Sequence, residues 1–398
     1  MILGIDASQA NRKTRSGTEW YAWHIIQQFK KLLGDRKDLR VRLYIRDSLR
    51  SDLANNLPVN FEVRVLKWRL RYFWGQVRLS IEMLLHPPDI LFCPAHTLPF
   101  ICPKTGSTSP PVVEPVQFTT GQALVPPHAW GGKLGKGKTF TTLHDVGFED
   151  YPELYDKLSL WYHKWAARKA VRNSTHIFTV SKFSKERIIE NLDCAPDRIS
   201  VTYLGIDKNY TIDKLLSSLE KYGLVNGEYL LFMGRLEPKK NIVNMVKAYE
   251  IAGVQEPLVL AGQKIYTTEL DDYLEKKPGL KAKIRFLGYI EEDDKRALYV
   301  GATMFLFPTL YEGFGLPILE AQAAGTPVIT SNTASNPEIA GEGAMLVNPD
   351  SPHEIAEAIV KLMNENDLRE EKIRLGYENV KRFRWEETAR ATWKILSK

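Results

Sequence analysis

Short apolar runs alternate along this chain with longer stretches whose apolar residues recur every three to four positions. The short runs MILGID, VRLYIR, ILFCP, FTTLHD, HIFTVS, ISVTYLG, YLLFMG, LVLAG, IRFLG, MFLFPT and PVITSN read as strands. The longer stretches, among them TEWYAWHIIQQFKKLL, WYHKWAARKAVRN, SKERIIENL, IVNMVKAYEIA, EDDKRALYVG and PHEIAEAIVKLMN, read as helices with one apolar face. Strand–helix alternation predicts an α/β fold: parallel sheets with helices on both faces. Roughly eleven strands are too many for one comfortable open sheet, so two Rossmann-like domains are expected.

The boundary is expected near YLGIDKNYTIDK, where a strand runs into a polar linker and the rhythm restarts at Tyr229. This gives a first domain over 1–205 and a second over 206–375. A last helix over 376–398, around KRFRWEETARATWKILS, is expected to cross back onto the first domain. The segment 104–137 breaks the rhythm and is rich in Pro, Gly, Ser and Thr. Structureless loops of ~30 residues are uncommon and often functional. Two readings stay open for it, a tolerated surface insertion and a flap over an acceptor cleft hinged at Gly131–Gly132.

Composition narrows the class. Hydrophobic residues make up 44% of the 398 and charged residues 26%, an ordinary balance for folded domains. A net charge of +6 suits anionic small molecules or lipid headgroups. Without a dense Lys/Arg run or zinc-finger spacing, nucleic acid is not an expected partner. Three cysteines, Cys93, Cys102 and Cys194, do not make a disulfide framework, so a reducing cytoplasm is expected. The opening MILGIDASQ reads as a first strand and not as a signal peptide. No apolar run approaches the ~20 residues of a membrane helix.

The stretch LYEGFGLPILEAQAAGTPVIT carries the most chemistry. MFLFPT before it reads as a buried strand, LYEGFG as a turn, and a helix is expected to start at Pro317 and to stop at Gly325. A strand, a glycine turn and a helix N-terminus make an anion site, because free amides and the helix dipole point at the ligand. Gly313 and Gly315 allow close approach to the backbone. Glu320 would repel a phosphate at short range, so a neutral hydroxyl pair such as a ribose diol suits it. Glu312, before the turn, can meet sugar hydroxyls. The plainer alternative leaves Glu320 complementing the helix dipole and Glu312 capping a turn. A second element, LLFMGRLEPKKNI, sets Arg235 and Lys240 after a strand. A guanidinium there can fork two phosphate oxygens while an ammonium acts as a point charge. Lys239 alone reads as a solvated lysine.

Together these residues resemble the GT-B retaining glycosyltransferases of the large GT4-type family. Its E-x7-E pattern stands here as Glu312-Gly-Phe-Gly-Leu-Pro-Ile-Leu-Glu320, and its G-R-x-x-x-x-K-N element as Gly234-Arg235-Leu-Glu-Pro-Lys-Lys240-Asn241. TTLHDVGFE, TVSKFSKERI and VTYLGID match in type and order, so the resemblance covers nearly the whole chain outside 104–137. It implies two domains facing across a cleft. It implies that Arg235 and Lys240 hold the diphosphate of a nucleotide sugar, Glu320 the ribose and Glu312 the sugar. The backbone of Phe314, Gly315 and Leu316 would approach the sugar and phosphate, and His144 would sit at the reacting centre. The family's amino-terminal double glycine stands here as Ser16-Gly17-Thr18-Glu19, a departure that weakens the phosphate contact implied for Gly17.

The implied activity is transfer of a sugar from a nucleoside diphosphate donor, GDP-mannose or a UDP-sugar, to a glycan, lipid-linked or small-molecule acceptor. No cofactor is expected beyond that donor. Because the chain contains no D-x-D, a bridging metal is not demanded; two cations and helix amides can carry the leaving-group charge. Similarity to mannosyltransferase-like members points to cell-surface polysaccharide assembly. LKWRLRYFWGQVRL, Leu66–Leu79, interleaves aromatic and basic residues and reads either as peripheral contact with the inner membrane face or as an ordinary helix with Trp and Leu inside and Arg outside. Two other functions remain open, a nucleotide-sugar epimerase on the same fold and a non-catalytic nucleotide-sugar binding protein.

Overall fold

A computed structural model describes residues 1–15, 17–70, 73–95, 97–103, 137–206, 215–265 and 268–398. Nearly all of the 104–137 segment, with Gly131–Gly132, lies outside them, as do Ser16, Arg71, Tyr72 and much of the linker near 205.

The strands build two parallel sheets. The first contains β1 (Ile2–Asp6), β2 (Arg40–Ile45), β3 (Phe61–Val65), β4 (Ile90–Cys93), β5 (Lys138–Thr142), β6 (His176–Thr179) and β7 (Ile199–Val201), in the order β3-β2-β1-β4-β5-β6-β7. The second contains β8 (Leu230–Met233), β9 (Leu258–Ala261), β10 (Ile284–Gly288), β11 (Met304–Phe307), β12 (Val328–Ser331) and β13 (Ala344–Val347), in the order β10-β9-β8-β11-β12-β13. The α/β expectation holds. Strands such as LLFM, LVLA, MFLF and VITS are buried at every position. A parallel sheet covered on both faces requires this continuous apolar run.

Two strands lie outside the eleven read from sequence. In β3, FEVRV, charged residues alternate with apolar ones, and Glu62 pairs with Arg42 of the neighbouring β2. In β13, AMLV, the run is short and follows a glycine turn at Gly341–Gly343. The terminal helix also differs: Asn366–Val380 and Trp385–Leu396 are separate helices, with a break where KRFR was read as helical. Thr388 Oγ1 donates to the Tyr203 carbonyl at 2.6 Å. A Cβ on Gly205 would lie 2.1 Å from the Trp385 nitrogen, so this approach needs glycine.

The chain divides into two compact units, Met1–Thr141 with Lys169–Ile177, and Thr142–Arg168 with Phe178–Lys398. In the second sheet the chain runs outward from β8 through β9 to β10, then returns to the other side of β8 as β11. The loops after β8 and β11 therefore leave neighbouring strands in opposite directions. Open α/β sheets bind ligands at the crevice this reversal leaves beyond the strands' carboxyl ends.

The 66–79 stretch is not one helix with its arginines outside. Leu66–Leu70 has no regular structure, and a π-helical turn covers Trp74–Arg78 and runs on into the helix Leu79–Leu85. Trp74 is buried and donates its Nε1 proton to the Leu66 carbonyl at 2.7 Å.

Candidate active site

The loop after β8 begins at Gly234, whose φ of +152 suits glycine. It is pressed against the loop after β9: a Cβ on Gly262 would fall 1.8 Å from the Gly234 carbonyl oxygen. Arg235 follows with its side chain 59% exposed and its Nε 3.8 Å from Glu237, so the guanidinium reaches solvent with one loose partner. A short turn at Pro238–Lys240 then leads into the helix Ile242–Ala252. Asn241 locks the turn by donating to the carbonyls of Pro308 and Pro349 at 2.9 and 2.7 Å.

This turn is stitched to the loop after β11. Leu310 N–H donates to the Lys239 carbonyl at 2.9 Å, and Lys240 Nζ meets Glu312 Oε1 at 2.5 Å. The site's cation and acid are thus brought together as an ion pair, each side chain 13% exposed. Burial opposes a charge on Lys239, but the carboxylates of Asp145, Glu312 and Glu237 outweigh it and hold its pKa above the ordinary lysine value. It is not a solvated surface lysine.

Hydroxyls grip the Glu312–Gly315 turn through its carbonyls. Ser335 Oγ lies 2.8 and 2.9 Å from the carbonyl oxygens of Glu312 and Phe314. Ser181 and Ser184 donate to the Gly313 carbonyl at 2.7 and 3.0 Å. Because those carbonyls point into the protein, the turn is fixed before any ligand arrives. A Cβ on Gly313 would lie 2.7 Å from the Asp145 Cβ and 2.9 Å from the His144 carbonyl oxygen. His144, 7% exposed, is therefore packed beside the glycine turn.

Gly315, with φ +98, ends the turn, and the helix Leu316–Ala323 starts with Pro317 in its first turn, as read from sequence. Gly325, φ +76, closes it against the Tyr377 hydroxyl. Glu320 is buried on this helix and takes hydrogen bonds from Lys295 Nζ at 2.5 Å and Tyr299 Oη at 2.9 Å. Burial works against the Lys295 charge, yet Glu320 and Glu292 raise its pKa. Lys295 and Tyr299 were missed in the sequence. Their i, i+4 spacing on the helix Glu292–Val300, which places them on one face, was the available signal.

Gly17 belongs to the other unit, where it is exposed and opens the helix Gly17–Leu33. That helix start carries its own acid: Glu19 is buried, with Arg12 Nη1 at 3.0 Å and Thr18 Oγ1 at 3.3 Å. A carboxylate already seated there disfavours a phosphate. Among the described residues no group of three or more His, Cys, Asp or Glu is arranged to hold a metal, and no helix is long and apolar enough to cross a membrane.

Residues 218–379 match the model of the glycosyl transferases group 1, and residues 120–210 that of glycosyltransferase family 4. O-antigen chain mannosyltransferase B of Escherichia coli is 32% identical over 256 residues, covering 63% of this chain and 67% of that protein. The serotype-specific mannosyltransferase WbdA of Escherichia coli is 33% identical over 226 residues, and the match spans only 27% of its length. Among solved structures, Anabaena Alr3699/HepE in complex with UDP and glucose superposes with a TM-score of 0.68 at 18% identity, covering 100% of this chain and 99% of that one.

Proposed function

This chain belongs to the group 1 glycosyl transferases, and from that premise we propose that it is a retaining, metal-independent hexosyltransferase using a nucleoside diphosphate sugar. The observation that carries the reading is the pairing of Lys240, on the same loop as Arg235, with Glu312, at the carboxyl ends of β8 and β11 where the sheet order reverses. Two cations next to a helix N-terminus suit a diphosphate, and the neighbouring acids suit the hydroxyls on either side of it.

In the proposed reaction the bond between the sugar's anomeric carbon and the diphosphate oxygen breaks, and a bond to the acceptor oxygen forms on the same face. The acceptor proton passes to a phosphate oxygen of the leaving group. Arg235, Lys240 and the first amides of Leu316–Ala323 stabilise the negative charge that gathers on the diphosphate. Gly313, Phe314 and Gly315 let the donor lie against the backbone. Glu312 holds sugar hydroxyls, Glu320 holds the ribose, and His144 acts at the reacting centre. A mannosyl donor and a glycan or lipid-linked acceptor are favoured, since the matching Escherichia coli relatives are mannosyltransferases, one of them of O-antigen chains.

The test incubates the purified protein with GDP-mannose or UDP-sugars, with and without glycan or lipid-linked acceptors. The expected outcome is acceptor-dependent release of nucleoside diphosphate and a product that keeps the donor's anomeric configuration. Donor isomerisation without release, or binding with neither outcome, would overturn the proposal.

A further inference from the structure

The contacts around the glycine turn close a circuit through Glu338, a residue that no motif read from the sequence contains. Its half-buried carboxylate sits at the start of the helix Lys182–Leu192. Oε1 accepts from the Lys182 N–H at 2.9 Å, and Oε2 accepts from the N–H groups of Lys182 and Phe183 at 3.0 and 3.2 Å. The Tyr203 hydroxyl donates to Oε1 at 2.7 Å. Burial and the Glu338 carboxylate push the Tyr203 pKa up, so the phenol keeps the proton it donates. The opening amides of a helix have no partners in its own ladder. Here Glu338 takes the first two, and the Ser181 hydroxyl takes the next by accepting from Ser184 N–H at 3.0 Å. Negative charge at a helix N-terminus is favourable in itself. The same Ser181 and Ser184 hydroxyls, both fully buried, donate to the Gly313 carbonyl. Just before Glu338 in the chain, Ser335 holds the carbonyls of Glu312 and Phe314. The Tyr203 ring packs 6.4 Å from that of Phe314, centre to centre. All of these residues belong to the second compact unit.

We infer that Glu338 is a positioning residue for the Glu312–Gly315 turn. It acts through Ser181 and Ser184: charge-assisted hydrogen bonds fix the helix start, and the helix start presents two hydroxyls to the Gly313 carbonyl. The anchoring stands on these contacts. Its consequence for turnover rests on the sugar-transfer reading above, in which the turn orients the sugar while Arg235, Lys240 and Glu320 hold the nucleotide. A displacement of about 1 Å at a reacting centre can cost about a hundredfold in rate.

Two readouts test it. Hydrogen exchange of the full chain without ligand reads the anchoring. Glu338→Ala should speed exchange of the amides in residues 313–316 about tenfold or more, with β8 and β11 unchanged. Glu338→Gln keeps one acceptor oxygen in the same shape and should speed it less. Steady-state transfer reads the consequence. Glu338→Ala should lower kcat about tenfold or more and keep the affinity for the nucleoside diphosphate within about threefold. Both effects should largely vanish when the change is made in the double variant S181A/S184A, where the link is already cut. Unchanged exchange at 313–316, or losses that add in full to those of S181A/S184A, would overturn the inference. So would a uniform rise in exchange across the second sheet, or nucleoside diphosphate affinity falling in step with kcat, since either marks general destabilisation. A wild-type chain that transfers no sugar would overturn the proposed function instead, and the exchange readout would still decide the anchoring.

Discussion

Lys240 and Glu312 stand on loops that leave adjacent parallel strands, and their side chains meet at 2.5 Å with little exposure. The pair links the two loops and, in the proposed reaction, is the cation and acid that a donor's phosphate and sugar would divide. Replacing Lys240 with alanine leaves Glu312 unpaired. Stability should fall by roughly 3 kcal/mol, at the low end of the loss for a broken buried pair. The double variant K240A/E312Q should be more stable than the sum of the single losses, with a coupling of about 1 kcal/mol. Urea unfolding of the four proteins measures it. Strict additivity would show that the pair does not bind the loops together.

Glu320 has about four lone-pair sites as a carboxylate, and Lys295 and Tyr299 take one each. These two donors hold the carboxylate still where a ribose diol is proposed to bind. Lys295→Met should therefore raise the donor KM about tenfold and leave kcat nearly unchanged, as expected for losing a charged hydrogen bond of roughly 1.5 kcal/mol. Lys295→Arg should recover much of it. A fall in kcat at unchanged KM would assign Glu320 to the reacting centre instead.

Gly313 has no room for a side chain. An alanine there must push Asp145 or the His144 carbonyl aside. Overpacking of this sort costs about 2 kcal/mol. The prediction is a fall in melting temperature together with loss of turnover, because the displaced backbone carries His144. A fully stable and active Gly313→Ala would show that the turn moves freely against His144.

Burial pushes the Lys169 pKa down to about 8, with Cys102 opposing, and its ammonium lies 4.4 Å from the Phe100 ring. A lysine lowered from its ordinary 10.5 binds fewer protons folded than unfolded between those values. Its contribution to stability therefore rises with pH from about 8 to about 10.5 and is a constant penalty below that window. Lys169→Met keeps the apolar packing and removes the penalty. It should raise the melting temperature at pH 7 by a few degrees, and the gain should shrink towards pH 10. A gain independent of pH would locate the effect in packing alone.

Much of this was legible in the sequence, and what was missed has physical causes. Strands buried on both faces announce themselves as continuous apolar runs. β3 escaped because Glu62 and Arg64 interrupt its run, with Glu62 pairing to Arg42 across the sheet. The helix start at Leu316–Ala323 was readable from Gly315 and Pro317, whose backbone preferences act locally. The groups that hold the site were not. Ser181, Ser184, Ser335, Lys295 and Tyr299 reach the turn or Glu320 from distant parts of the chain. Nothing in a serine's own neighbourhood tells which carbonyl it will bind. The 66–79 stretch misled because its aromatic and basic spacing suits a regular helix, while the π-helical turn rotates Trp74 inward and leaves Phe73 outside.

The central claim concerns the diphosphate, and a crystal structure with a nucleoside diphosphate bound tests it most directly. The phosphates should lie within hydrogen-bond reach of Arg235, Lys240 and the first amides of Leu316–Ala323, with the ribose diol on Glu320 and the Lys240–Glu312 pair parted. A nucleotide lodged elsewhere, with that ion pair intact and Arg235 still in solvent, would contradict the account.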